Sequence, residues 1–115
     1  MWAMGSRRTE RLLRAGLVMR DRMTEKDLRE IVRDAAALGG WKMQFAWTSL
    51  HSPAGFPDLV LVHPGRRRIV FAELKTMKGK VTPAQQGWMD ALRQAGAEVY
   101  LWRPDSVDDI IALLI

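Results

Sequence analysis

The chain contains no cysteine. Disulfides and thiolate metal sites are therefore excluded, and with only two histidines any bound cation would fall mainly to carboxylate oxygens, the ligands of a hard metal. A long apolar run is missing too: the longest, IIALLI, falls well short of the roughly 20 residues that cross a bilayer, and no segment resembles a secretory signal. There are no internal repeats, no low-complexity tracts and no linker after Met23, and no motif calls for a small-molecule cofactor. What is present, 48% apolar and 27% charged residues over a length of 115, suits one compact domain with its own core, soluble and cytoplasmic.

The net charge of +5 is unevenly placed. Residues 1–22 carry Arg7, Arg8, Arg11, Arg14, Arg20 and Arg22 against Glu10 and Asp21, a balance of +4. This basic leader reads equally as an arm for a polyanionic partner or as a solvated helix, in which Leu12, Leu13, Leu17 and Val18 would form the apolar side. Met19 and Met23 are alternative starts, so MWAMGS carries no expectation about the fold. The domain proper is expected over 23–115.

Within it, Thr24 with Asp27 three residues on forms a helix start. Leu28, Ile31, Val32, Ala35 and Leu38 then recur at helical spacing until Gly39-Gly40. WKMQFAW (41–47) alternates as a strand, TSLHSPAGFP is a loop, and DLVLVH and IVFAELK are two further strands around PGRR. Pro83 opens a second helix with Ala84, Trp88, Ala91, Leu92 and Ala95 on one side and Gly96 as its stop. AEVYLWRP is a fourth strand, and DSVDDIIALLI closes the chain as a helix capped by Asp105 or Ser106. The predicted order is α-β-β-β-α-β-α, an α/β fold.

Two acids interrupt these strands. If PGRR turns a hairpin, His63 faces Arg68, Leu61 faces Val70 and Asp58 faces Glu73, with Lys75 on the same face as the two acids. Opposed carboxylates about 5 Å apart repel each other unless a cation lies between them, which points to a divalent metal. The plainer reading makes them solvent-face acids of an exposed hairpin, paired with Lys75 or arginines.

The wording around them is more specific. Gly55-Phe56-Pro57-Asp58, a hairpin, Glu73-Leu74-Lys75, then Gly79-Lys80 and Thr82-Pro83-Ala84-Gln85 resemble the PD-(D/E)XK nucleases, and among them the VRR-NUC group. The likeness runs from about Thr24 to Arg103-Pro104. It implies a restriction-endonuclease-like mixed β-sheet flanked by helices, and cleavage of DNA dependent on Mg²⁺, with Mn²⁺ able to substitute. It also implies that Asp58, Glu73 and the carbonyl of Leu74 bind the metal, with Glu25 approaching it through water. Lys75 would orient or deprotonate the attacking water, and Gln85, rather than Gln86, would hold Lys75 or the scissile phosphate.

Each residue also has an ordinary reading. Glu25 suits a helix dipole, Lys75 guards an edge strand, and Gln85 is a common helix residue. His51 is a loop histidine, His63 a structural or exposed one, and Trp41, Trp47, Trp88 and Trp102 are core aromatics. Where the group often has a His and an Arg before its Gly-x-Pro-Asp, this chain has Phe45 and Leu50; Ser49, His51 and Ser52 are the local substitutes. Arg66, Arg67 and Arg68 form a basic hairpin tip that suits phosphate or water. The resemblance further implies a homodimer acting on branched DNA such as four-way junctions, in keeping with a phage or mobile-element setting. The alternative is a catalytically silent nucleic-acid-binding or partner-binding domain that keeps the fold.

Overall fold

The computed structural model of the chain describes residues 7, 8, 10, 11, 20–46 and 54–115. Trp47, Ser49, Leu50, His51 and Ser52, together with Leu12, Leu13, Leu17 and Val18 of the leader, lie outside the described residues. The observed order is α1 (Glu25–Gly39), β1 (Lys42–Phe45), β2 (Leu59–His63), β3 (Arg68–Leu74), α2 (Pro83–Gln94), β4 (Glu98–Trp102) and α3 (Val107–Leu114). This is the predicted α-β-β-β-α-β-α.

The four strands form one sheet in chain order. β1 and β3 each run antiparallel to β2, and β4 returns parallel to β3 after the α2 crossover. The hairpin register is the expected one, with His63 opposite Arg68 and Leu61 opposite Val70. Its turn is a 3₁₀ turn over Pro64–Arg66, closed by Arg67 in the left-handed region at φ 54°.

Helix α1 starts and stops where its sequence says. Thr24 Oγ1 accepts from the Asp27 amide while the Asp27 carboxylate accepts from Thr24 N, a reciprocal cap. Gly40 ends it at φ 81°, a backbone state that costs glycine little. Leu28, Ile31, Val32 and Ala35 pack with Leu59, Leu61, Val70, Ala72 and Leu74 of the sheet and with Val107, Ile110 and Leu114 of α3. Leu38, expected in that stripe, is 44% exposed because it falls in the last turn, past the sheet.

The opposite sheet face meets α2, and here the expected apolar side is corrected. Met89 is the buried residue of the helix, whereas Ala84, Ala91 and Ala95 are exposed and Trp88 and Leu92 half-buried. Small side chains add little area to a contact, and the long Met89 is the side chain this helix buries. Trp41 and Trp102 are core residues, while Trp88 sets its ring edge against Phe56. At α3, Asp105 is exposed and Ser106 occupies the cap position, but Ser106 Oγ accepts from Arg103 N and caps the preceding 3₁₀ turn (Pro104–Ser106) instead.

Candidate active site

The last residues of β3 leave the core carrying charge. Glu73 is 1% exposed, at the point where β3 pairs with β4 through Glu73 opposite Leu101. Asp58 precedes the first ladder pair of β2, Leu59 with Ala72, and so faces Glu73 as expected. Its Oδ2 accepts from the Leu74 amide at 2.9 Å, and its own carbonyl accepts from Ala46 N at 2.8 Å. These two bonds fix the acid at the junction of three strands.

The third member arrives by the predicted alternation. Lys75 Nζ lies 3.9 Å from Glu73 Oε2, its side chain 13% exposed, and its backbone amide donates to the Trp102 carbonyl. Gln85 comes from the first turn of α2. Its Oε1 accepts from Thr82 N while Thr82 Oγ1 accepts from the Gln85 amide, so the side chain is locked at the helix start. Its Nε2 then donates to Glu73 Oε2 at 3.2 Å. In place of the expected bond to Lys75, the side chain thus bonds Glu73. Gln86 bonds Asp90 on the outer face.

Gly55 explains how α2 comes so close. At φ 88° it adopts a conformation that side chains avoid, and a Cβ there would stand 2.4 Å from the Ala84 carbonyl carbon and 2.7 Å from Gln85 N. Only glycine lets the Gly-x-Pro-Asp loop lie against the first turn of α2, which brings Gln85 to the acids.

The electrostatics of Glu73 are unusual. Burial first, then the charge of the neighbouring Asp58, push the Glu73 carboxyl from its ordinary 4.5 up to about 8; Lys75 opposes the rise and Glu25 adds to it. Glu73 Oε1 is buried with no hydrogen-bond partner among the described residues. A buried, unpartnered carboxylate oxygen beside a second carboxylate is costly by itself and is relieved by a cation. The donor set therefore fits a hard divalent metal. Among the described residues, no three carboxylate or imidazole groups close on one point, and Asp58 and Glu73 stand as a pair. Glu25, exposed in the first turn of α1, stands further off, near enough for its charge to act on Glu73.

The basic hairpin tip proves to be engaged elsewhere. Arg66 donates to the carbonyls of Leu113 and Ile115, tying down the end of α3, and Arg68 binds Glu98, which also accepts from Tyr100. Arg67 is exposed. His63 is structural, with Nδ1 accepting from Arg66 N and Nε2 3.0 Å from the Gly39 carbonyl oxygen. Sequence reasoning did not single out Asp34, a 1% exposed carboxylate of α1 held by Arg11 through bonds of 2.6 and 2.8 Å, with Arg8 at 3.7 Å. Two leader arginines thus face the domain. The Thr-x-x-Gln capping pattern at 82–85 was readable, but a contact between residues 11 and 34 leaves no local mark.

The VRR-NUC domain family model matches residues 6–105, which takes in both the leader arginines and the site. Among solved structures, a VRR_NUC domain is 25% identical, with a TM-score of 0.65 over 78% of this chain and 97% of its own. Another, a VRR_NUC domain protein, is 18% identical, with a TM-score of 0.60 over 79% of this chain and 84% of its own, and speaks to the fold alone. No curated protein matches the chain significantly.

Proposed function

Because the chain belongs to the VRR-NUC family of the PD-(D/E)XK nuclease superfamily, we propose that it is a metal-dependent endonuclease hydrolysing phosphodiester bonds in DNA. The observation that carries this reading is the buried Oε1 of Glu73, unpartnered among the described residues, set beside Asp58 and within reach of Lys75. Asp58 and Glu73 would hold Mg²⁺ or Mn²⁺, with the Leu74 carbonyl as a further oxygen and Glu25 acting through water. When bound, such an ion supplies Lewis-acid polarisation of the phosphoryl oxygen and a more acidic water.

The chain's own groups do the rest. Lys75 presents an ammonium beside the acids, where it orients the attacking water and offsets charge on the pentavalent phosphoryl group. Gln85 holds Glu73 by Oε2, leaving Oε1 as the oxygen directed to the cation. Asp58, held through Oδ2 by the Leu74 amide, keeps the same orientation during turnover.

For the substrate, we favour branched DNA and a homodimer. Two sites related by a dyad can cut both strands of a symmetric junction in one encounter, and a single small domain offers one site. The test is a panel of linear, flapped and four-way DNAs incubated with Mg²⁺, Mn²⁺ or chelator. Ion-dependent cleavage of the branched members supports the reading; binding to all of them with no cleavage under any ion would return the domain to a silent binding module.

A further inference from the structure

Arg103 follows β4, at the place where the family resemblance ends, and the chemistry above leaves it without a role. One nitrogen of its guanidinium, Nη1, donates to the carbonyls of Thr76 at 2.6 Å, Gly79 at 2.7 Å and Met77 at 3.4 Å. These carbonyls belong to the turn between Lys75 and α2, which is closed by the Gly79 amide donating to the Thr76 carbonyl. A cation amid convergent carbonyls makes charge-assisted bonds, and a loop held this way has fewer conformations available.

The loop bears on Lys75 directly. A Cβ at Gly79 would stand 3.1 Å from Thr76 Oγ1 and 3.4 Å from Lys75 Cδ, so the Gly79 backbone lies against the lysine's alkyl chain. Lys75 is also tied at its own amide to the carbonyl of Trp102, the residue before Arg103. From this geometry we infer that Arg103 is a positioning residue: it gathers residues 76–79 into the turn that aims Lys75 Nζ at Glu73. The inference rests on the nuclease reading for its effect on rate, but the clamp itself is independent of that reading.

Three variants separate the possibilities. Arg103→Ala removes the clamp, Arg103→Lys keeps the charge on a shorter side chain whose nitrogen does not reach as far into the three carbonyls, and Gly79→Ala crowds the same lysine while leaving the Arg103 side chain and the Gly79 carbonyl in place. Amide hydrogen exchange at Gly79 reads the clamp whether or not the protein cleaves DNA, and it should speed up by tenfold or more in Arg103→Ala; unchanged exchange overturns the inference. With Mg²⁺ and a cleaved DNA, single-turnover rates at saturation should fall at least tenfold in all three, with DNA affinity held within twofold. In a Lys75→Ala background the same substitutions should cost little more, because the group they position is gone.

An equal further loss in that background would show that Arg103 acts elsewhere, and would overturn the inference. Weakened DNA affinity fully restored by Arg103→Lys would make Arg103 a phosphate contact, which overturns it as well. Should wild type cleave nothing, the nuclease reading fails, and the exchange at Gly79 still decides whether the clamp exists. If Arg103→Ala does not fold, Gly79→Ala carries the rate test and Arg103→Lys the exchange test.

Discussion

Replacing Glu73 with glutamine should stabilise the metal-free protein at alkaline pH while removing its response to divalent ions. An acid whose folded pKa lies above its unfolded value holds its proton more firmly when folded. Its contribution to stability is therefore complete below about 4.5 and is lost as the pH rises through about 8. A carboxyl moved from 4.5 to about 8 corresponds to about 5 kcal/mol between its two protonation states, a ceiling that local relaxation lowers. At roughly 4 °C per kcal/mol, the neutral Glu73→Gln variant should melt on the order of 10 °C above wild type at pH 9 in chelator, and within a few degrees of it at pH 5. Glutamine preserves the shape, accepts from Gln85 through its carbonyl and can donate to Asp58. Adding Mg²⁺ at pH 9 should raise the wild-type melting temperature far more than that of the variant. Thermal melts across pH 5–9 decide the matter: parallel curves for the two proteins would refute the claim that ionising Glu73 is costly, and with it the argument for a cation at Oε1.

Further expectations follow from other contacts. Lys75→Ala should lower the single-turnover cleavage rate about 10²-fold with DNA affinity nearly unchanged, as measured by quench kinetics beside a binding titration. Gln85→Glu can keep the Thr82 cap but sets a third acid against Glu73, so it should lower the melting temperature in chelator and enlarge the rise that Mg²⁺ produces, while helix content by circular dichroism stays constant. Arg11→Ala leaves the buried Asp34, among the described residues, with Arg8 at 3.7 Å, and should lower the melting temperature; an unchanged melt would show that Arg11 contributes nothing to the fold. The same pairing predicts that removing residues 1–22 destabilises the domain, beyond any change in the salt dependence of DNA binding.

The strands and the acid pair were legible because their determinants are local. A turn between two apolar runs sets a register, and a register of period two places Asp58, Glu73 and Lys75 on one face without reference to the rest of the chain. The same holds for the Thr24 cap and the glycine that ends α1. Less legible were features that depend on what comes from afar. Helical spacing identified an apolar side of α2, but spacing does not weigh side-chain length, and it is the long Met89 that is buried while Ala84 and Ala91 are exposed. Arg66 and Arg68 read as a free basic tip because the carbonyls at the end of α3 and the carboxylate of Glu98 are distant in sequence. The Gln85 contact with Glu73 and the Arg103 clamp likewise join segments whose meeting depends on the α2 crossover and the parallel pairing of β4.

The central claim is that Asp58 and Glu73 together hold a divalent ion that DNA cleavage requires. Its most direct test is single-turnover cleavage of labelled four-way and linear DNA by wild type and Asp58→Ala, each with Mg²⁺ and with chelator, after circular dichroism has shown both to be folded. Asp58 is only half-buried and outside the core, so its loss should leave the fold in place. Cleavage by wild type with Mg²⁺, abolished by chelator and by Asp58→Ala while DNA binding persists, is the result predicted. Equal cleavage by the folded variant, or cleavage indifferent to chelator, would contradict it.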